Sequence, residues 1–282
     1  MPARPDENEP DLPTTFGEYT LIERLAVGGM AEIYRARTEG LGGFEKILVI
    51  KKLHEHLTED EDFIDMMVDE AKIAVRLNHP NIAKTFDLGC IDGHYFIVME
   101  YIKGPDLSDI RQLQRQDREP LSTPAILFVG AEICAGLHYA HTRRGPDGEP
   151  MNIVHRDVSP PNVMLSTEGE VKLVDFGIAK ARKRIQETEH GVIKGKFHYM
   201  APEQARGQHL DARTDVFSAG LVVYELLARK NPYDGVAESE MMRTVRTAQI
   251  PPIREFRPEI DPDLEAVVMK ALQRKRQDRY ES

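Results

Sequence analysis

A change of hydrophobic pattern near Gly104-Pro105 divides the sequence into two parts with different predicted secondary structure. In the first part, short apolar segments alternate with glycine-rich turns, a pattern typical of strands. The predicted strands are Tyr19–Leu25, Glu32–Arg37, Ile47–Leu53, Ala83–Leu88 and Tyr95–Met99. One helix is predicted before the fourth strand, because apolar residues recur at helical spacing from Phe63 to Leu77, and Pro80 ends it.

The second part has a helical pattern. The predicted helices are Asp106–Gln116, Ala125–His141 and Thr214–Leu227. The last of these is apolar on nearly every side, so we expect it to be buried. Short strands are predicted at Val163–Leu165 and Val171–Val174. The sequence therefore predicts an α+β chain with a β-rich lobe over residues 17–103 and an α-rich lobe over residues 104–282. The proline-rich residues 1–16 are predicted to form a disordered leader.

Composition excludes several classes of protein. The net charge of −10 argues against a nucleic-acid-binding module, which would be expected to be basic. No apolar run approaches the roughly 20 residues of a membrane span, and the first residues contain no apolar signal core. Cys90 and Cys134 are too few for a disulfide framework, so we expect a reduced, cytoplasmic location.

Two features of the first part suggest a site for phosphates. Gly28 and Gly29 lie between two predicted strands, where backbone N–H groups could hold phosphate oxygens; an ordinary hairpin turn is the alternative. Lys51 ends an apolar strand, and a buried ammonium is costly unless it is paired. Glu70, on the following helix, is the candidate partner.

A second set of motifs lies in the helical part. It comprises His155-Arg156-Asp157, then Asn162, then Asp175-Phe176-Gly177 and Ala201-Pro202-Glu203. Asn162 and Asp175 offer the oxygen ligands that Mg²⁺ prefers. Asp157 is then free to orient a hydroxyl nucleophile and to accept its proton. Each triplet alone is common, but the whole ordered set is very unlikely to arise by chance.

These motifs, with Lys51 and Glu70 upstream, resemble those of eukaryotic-type serine/threonine protein kinases over a single domain at residues 19–282. The sequences Gly-Gly-Met-Ala and Tyr-Met-Ala-Pro-Glu-Gln are similar to those of bacterial members. The sequence His-Arg-Asp-Val-Ser-Pro-Pro-Asn is most similar to that of kinases from myxobacteria and their relatives. The resemblance implies a bilobal fold, with a small antiparallel sheet and one key helix in the first lobe. We also expect this chain to be the catalytic part of a longer protein, because proteins of this kind often continue into a membrane span and a sensor domain.

The resemblance further implies the cofactors and the role of each site residue. ATP would be the donor, with Mg²⁺ or alternatively Mn²⁺, and protein serine or threonine hydroxyls would be the acceptors. Lys51 would hold phosphates beside Glu70, and Asp157 would be the catalytic base. The residues implied to contact the nucleotide are Leu25, Gly28, Gly29, Ile33, Val49, the gatekeeper Met99, Glu100 and Ile102 of the hinge, Asp106 and Met164. Glu203 would pair with Arg279, and Asp215 would support the catalytic loop.

The sequence departs from the family pattern at four positions. Ala26 and Ala31 replace the outer glycines of the phosphate loop. Ser159 stands where these kinases have lysine, and Lys196 stands where they have threonine. We hypothesise that Lys196 supplies the missing cation beside Asp157; the alternative is a Lys196 side chain in solvent.

Two other functions remain as alternatives. A pseudokinase, acting as a nucleotide-binding scaffold, would follow if the missing lysine has abolished turnover. A small-molecule kinase is disfavoured, because such enzymes lack the Ala-Pro-Glu segment followed by these helices. Tyrosine specificity is not supported either, since the catalytic loop lacks the Ala-Ala-Arg pattern of that subfamily.

Regulation is predicted in the segment between Ile178 and Met200. Its one hydroxyl-bearing serine or threonine is Thr188, and six lysines and arginines outnumber two glutamates. A phosphate on Thr188 would add negative charge and order the segment through charge-assisted hydrogen bonds. We therefore expect autophosphorylation at Thr188, with self-association of two chains for the transfer; a flexible, solvated basic loop is the alternative.

Overall fold

The described residues of the chain divide into two units. The computed structural model describes residues 12–58, 61–115, 121–176 and 196–282. The first unit contains the described residues up to Leu77 together with Lys84–Tyr101, and the second contains Asn78–Ala83 and the described residues from Ile102 onward. The predicted α+β organisation, β-rich and then α-rich, is confirmed.

The first unit is built on a six-stranded antiparallel sheet with the order β1-β2-β3-β4-β6-β5. Its strands are β1 Thr14–Phe16, β2 Tyr19–Val27, β3 Ala31–Glu39, β4 Glu45–Leu53, β5 Thr85–Ile91 and β6 His94–Glu100. The five strands expected from the sequence are all present, each within a few residues of its predicted bounds.

Alternation of side chains along the strands gives this sheet two apolar faces. One face carries the cluster Phe16, Tyr19, Leu21, Tyr34, Ala36, Leu48, Ile50, Phe96 and Val98. The other carries Leu53 and Ile97, which pack with Leu57 of the turn after β4 and with Met67 and Ala71 of helix α1 (Glu61–Ala74). Lys51 is paired in register with Ile97 across β4 and β6, so it occupies a position on the face that carries α1.

The strand β1 corrects the predicted leader. Thr14–Phe16 pairs with β2, and Phe16 is only 9% exposed, with its ring 5.0 Å from that of Phe96 in an edge-to-face arrangement. The prolines before Thr14 led to the prediction of disorder through residue 16. Threonine and phenylalanine, however, are residue types that favour strands. Residues 1–11 lie outside the described part of the chain.

The described residues of the second unit form helices and a small hairpin. Its helices are α2 Leu107–Arg115, α3 Thr123–His141, α4 Pro202–Ala205, α5 Ala212–Ala228, α6 Glu238–Thr247 and α7 Pro262–Ala271, and its hairpin strands are β7 Val163–Leu165 and β8 Val171–Leu173. As expected, α5 is buried along most of its length, and α3 and α7 pack against it. Gly220 permits this close packing, because a Cβ there would lie 3.1 Å from the Ala271 side chain.

The helix α3 begins two residues before its predicted start at Ala125. At 19 residues, and within the described ranges, it meets the length and composition of a membrane span. Ile126, Val129, Ile133 and Leu137 of α3 are buried in the second unit. One such helix is weak support for a membrane span, because the core helix of a globular domain satisfies the same criteria.

We expect Phe16→Ala to lower the free energy of unfolding by about 2–4 kcal/mol, because it removes a buried aromatic ring from the sheet core. Urea denaturation would measure the change. Thr15→Ala is the matched control, since the Thr15 side chain is exposed on the same strand. Equal stabilities of the two variants would mean that β1 does not pack as described.

Candidate functional site

A buried carboxylate organises the loop that carries the central motif. Asp215 lies on α5 with 0% exposure. Its Oδ2 accepts the backbone N–H of His155 at 2.7 Å, and its Oδ1 accepts that of Arg156 at 2.8 Å. Nε2 of His141, at the end of α3, lies 2.8 Å from Oδ2. Hydrogen bonds to the charged form stabilise a buried carboxylate, so one side chain joins α3, α5 and the loop.

Arg156 is fixed on both sides in an uncommon backbone conformation. Its φ of +67° lies in the left-handed region, which costs energy for a residue with a side chain. The Arg156 N–H is held by Asp215, and its carbonyl accepts Nε2 of Gln204 at 2.9 Å. Oε1 of Gln204 accepts the N–H of Ala201 at 2.9 Å. Gln204 was not predicted as a site residue, although it ends the Tyr-Met-Ala-Pro-Glu-Gln motif.

His155 connects the loop to the strand that precedes Asp175. Its Nε2 lies 3.2 Å from the carbonyl oxygen of Val174, which can only accept, so Nε2 carries the proton. Nδ1 therefore accepts, and it lies 3.3 Å from the N–H of Asp157. The buried ring also packs 4.4 Å from the ring of Phe176. The backbones of Asp157 and Val174 are thus held by one imidazole.

The structure brings Asp157 and Asn162 together. Nδ2 of Asn162 donates to the Asp157 carbonyl at 2.8 Å and to its carboxylate Oδ2 at 3.1 Å. The Asn162 carbonyl accepts the N–H of Val174 at 3.0 Å, which ties this turn to the residue before Asp175. Ser159 Oγ lies 3.4 Å from the Asp157 carbonyl oxygen. The Asp157 carboxylate is therefore oriented by a neighbouring amide.

The donor groups of Asn162 and Asp175 fit a hard divalent cation. Because Nδ2 of Asn162 donates to Asp157, the amide oxygen is the group left for a cation. Asp175 adds a carboxylate, on a backbone with φ of +55°. Within the described residues no cluster of three histidine, cysteine or acidic side chains could hold a metal. An ion at Asn162 and Asp175 would thus need further oxygens from water or substrate, as Mg²⁺ usually does.

The residues implied to contact a nucleotide lie in both units. In the first unit, Leu25, Ile33 and Val49 lie on β2, β3 and β4, and Met99 and Glu100 end β6. Gly28 N–H donates to the Ala31 carbonyl at 2.9 Å, which closes the hairpin that also contains Gly29. In the second unit Ile102 is buried, and Met164 forms a bridge with Asp106.

Asp106 has a role that the sequence analysis did not predict. Its Oδ1 accepts the backbone N–H groups of Ser108 at 2.7 Å and Asp109 at 3.0 Å, so it caps the first turn of α2. The preceding Gly104 is required by close approach, because a Cβ there would lie 1.9 Å from the carbonyl oxygen of Leu165. Asp106 is therefore placed beside β7 by backbone geometry.

Glu203 and Arg279 form a buried bidentate ion pair. Nη1 and Nη2 of Arg279 lie 2.7 and 2.9 Å from the two Glu203 carboxylate oxygens. Arg279 also donates to the backbone carbonyls of Arg213, Gln273 and Arg274. Thr214 Oγ1 donates to Glu203 at 3.1 Å. This pair attaches α4 to the residues that follow α7.

A second buried network holds the 3₁₀ turn Lys196–Tyr199, and the sequence analysis missed it. The Tyr199 hydroxyl donates to the carboxylate of Glu225 on α5. Nη1 of Arg111, on α2, lies 2.8 Å from the Tyr199 hydroxyl and 3.1 Å from Glu225. Burial, and then the charge of Glu225, raise the pKa of Tyr199, so its hydroxyl stays protonated and donates.

Three of the predicted site residues have side chains that the structure does not describe. Thr188 lies in the undescribed residues 177–195. The backbones of Glu70 and Lys196 are described, but their side chains are not. The pairing of Lys51 with Glu70 and the hypothesis of a Lys196 cation therefore stay predictions.

A family model described as "Protein kinase domain" matches residues 19–282. The chain belongs to this family. The fold agrees with solved kinase domains: the kinase domain of PknI from Mycobacterium tuberculosis superposes with a TM-score of 0.71 at 28% identity, covering 96% of this chain and 93% of that one. The two-lobed kinase fold implied by the sequence motifs is thus confirmed.

The names of similar kinases differ in the acceptor residue that they state, which is tyrosine in one relative and serine or threonine in another. The chain is 43% identical over 265 residues to tyrosine-protein kinase MasK of Myxococcus xanthus, with 94% of this chain and 41% of MasK covered. It is 35% identical to serine/threonine-protein kinase PknB of Mycobacterium leprae, with 96% of this chain and 42% of PknB covered. The chain spans about two fifths of the length of these relatives. The predicted resemblance to bacterial and myxobacterial kinases is confirmed.

We expect Arg279→Lys to destabilise this kinase domain by about 3 kcal/mol, because an ammonium cannot reproduce the fork that reaches Glu203 and three carbonyls. Urea unfolding would measure the loss. Arg274→Lys is the matched control, since the Arg274 side chain is exposed and should tolerate the change. A stability equal to that of the control would contradict the importance of the Glu203 pair.

Proposed function

We propose that this kinase domain transfers the γ-phosphate of ATP to serine or threonine hydroxyls of proteins. The observation that carries the proposal is the oriented Asp157 carboxylate, which accepts Asn162 at 3.1 Å in a loop held by the buried Asp215. A preorganised carboxylate can accept the proton of an attacking hydroxyl without reorganising during the reaction.

The proposed roles follow from the chemistry of each group. Asp157 binds the acceptor hydroxyl, directs its oxygen at the γ-phosphorus and takes its proton. As the new O–P bond forms, the bond between the γ-phosphorus and the β,γ-bridging oxygen breaks, and ADP leaves with the electron pair of that bond. Lys51 holds phosphate oxygens as a point charge. Asn162 and Asp175 would hold Mg²⁺, which would supply positive charge to offset the charge of the phosphates. Because phosphoryl transfer needs little covalent assistance, orientation and electrostatics supply most of the catalysis.

The acceptor class is part of the proposal. The loop Asp157–Asn162 reads Asp-Val-Ser-Pro-Pro-Asn, which lacks the Ala-Ala-Arg pattern of tyrosine kinases, although Ser159 also replaces the lysine of serine/threonine kinases. Serine and threonine are the proposed acceptors because the other motifs resemble those of serine/threonine kinases. Transfer to tyrosine is the second candidate, since a relative at 43% identity is named a tyrosine-protein kinase.

We also propose a reducing, cytoplasmic location for this domain. Cys90 and Cys134 are both free thiols, which is the usual state of cysteines in that compartment.

Asp157→Asn should lower the rate of transfer by a factor of about 10² or more, because an amide cannot accept the proton, while ATP affinity changes little. The measurement is incorporation of labelled phosphate from ATP and Mg²⁺ into the chain or a basic protein. Asp147→Asn is the matched control, since Asp147 is exposed in the 143–150 loop.

The same assay separates the candidate functions. Acid hydrolysis of the labelled product should release phosphoserine or phosphothreonine, whereas phosphotyrosine would identify the second candidate. A wild-type chain that binds ATP but transfers no phosphate would be a pseudokinase, in which the serine at position 159 has removed a needed charge.

We also propose that Thr188 is an autophosphorylation site. Mass spectrometry after incubation with ATP should find phosphate at Thr188, and Thr188→Val should lower the activity toward an added substrate severalfold, because the basic segment around it would lack the charge that orders it. Thr142→Val, outside that segment, is the control. An active preparation with unmodified Thr188 would overturn this site.

A further inference from the structure

The glycine hairpin, defined as Val27–Ala31, joins β2 to β3 and is hydrogen-bonded by the residue that follows β4. His54 comes directly after β4, and its Nε2 lies 2.7 Å from the carbonyl oxygen of Gly28. A carbonyl can only accept, so Nε2 donates. The backbone N–H of His54 donates to the carbonyl of Met30 at 3.1 Å. Two carbonyls at the tip of the hairpin are therefore bonded to one residue.

The backbone and the ring of His54 are held in place by local contacts. Its carbonyl accepts the N–H of Leu57 at 3.0 Å, which closes the short turn Glu55–Leu57. Leu57 is buried in the cluster beneath the sheet, and the Met30 side chain packs against the same cluster. The His56 ring stacks on the His54 ring with centroids 5.4 Å apart. The imidazole that reaches Gly28 is thus fixed at its backbone and along its ring.

Bonding these carbonyls fixes the direction of the N–H groups that follow them. In a trans, planar peptide unit the C=O and N–H bonds point in opposite directions. With the Gly28 carbonyl directed to His54, the N–H of Gly29 is directed away from His54. The same reasoning applies to the Met30 carbonyl and the N–H of Ala31. Each of these two backbone donors therefore points away from His54.

This chain has particular need of such a support. Gly28 and Gly29 are exposed, and glycine loses more backbone entropy on ordering than any other residue. A Cβ added at Gly29 would meet nothing within 4 Å, so packing around that residue does not fix its peptide plane. The His54 imidazole supplies a constraint that neither neighbouring side chains nor backbone sterics provide.

We propose that His54 is a positioning residue that orients the N–H groups of Gly29 and Ala31 toward nucleotide phosphates. This inference rests on the proposed use of ATP and adds a residue to that site. It concerns phosphates alone, because the hydrogen bonds of His54 fix N–H donors and not the apolar residues implied to contact the base. A ligand without phosphates should therefore be insensitive to His54.

The test compares the binding of ATP and of adenosine by isothermal titration calorimetry in the presence of Mg²⁺. His54→Phe keeps a stacked ring but removes the donor, and it should weaken ATP binding about tenfold while adenosine affinity stays within about twofold of wild type. His54→Gln restores a donor at a similar reach and should recover most of the ATP affinity. His56→Phe, the same change on the stacked neighbour, should leave both affinities unchanged.

Each other outcome has a definite meaning. Wild-type ATP affinity in His54→Phe, or an equal loss for ATP and adenosine, would overturn the positioning role. Failure of His54→Gln to improve on His54→Phe would also overturn it, because the donor would then not be the property that matters. A wild-type chain that binds adenosine and ATP equally would instead overturn the proposed binding of phosphates, and with it the proposed function.

Discussion

The arrangement of the second unit depends on the buried carboxylate of Asp215. An unpaired charge at 0% exposure would be strongly destabilising, so its partners must stay in place for the fold to persist. Those partners are the N–H groups of His155 and Arg156 and the ring of His141. Since losing these bonds would leave a buried carboxylate without partners, the packing of α5 and the position of the loop that presents Asp157 depend on each other. Stability and preorganisation thus have one source.

Sequence reasoning succeeded where one local pattern is sufficient to define an element. The alternating segments gave the strands β2–β6, and the uniformly apolar run from Thr214 gave α5. Pairs of residues distant in sequence could be predicted only from family motifs. Glu203 and Arg279 are 76 positions apart, yet Nη1 of Arg279 lies 2.7 Å from Oε1 of Glu203. No periodicity connects them. The strand β1 was missed, because neighbouring prolines outweighed a three-residue segment whose order comes from its contacts with β2 and Phe96.

The supporting residues were harder to predict than the residues they support. Each supporting residue forms a hydrogen bond with a partner that only the tertiary fold brings near; these residues are His54, Tyr199, Gln204 and Glu225. Such residue types occur throughout any polar sequence, and nothing in their immediate neighbours distinguishes a buried hydrogen bond from a solvated side chain. A motif residue such as Asp157 is recognised by its neighbours in sequence, whereas its supports are recognised only by distance.

The short segment Asn78–Ala83 has a consequence for dissecting this protein. It lies between α1 and β5 of the first unit, yet Asn81 Nδ2 donates to Glu132 at 2.6 Å and to the Val171 carbonyl at 2.9 Å, both in the second unit. The polypeptide therefore passes from one unit to the other three times. A fragment ending near residue 103 would carry this segment without its acceptors, and no single cut yields either unit whole. Topologically, the two units are inseparable by truncation.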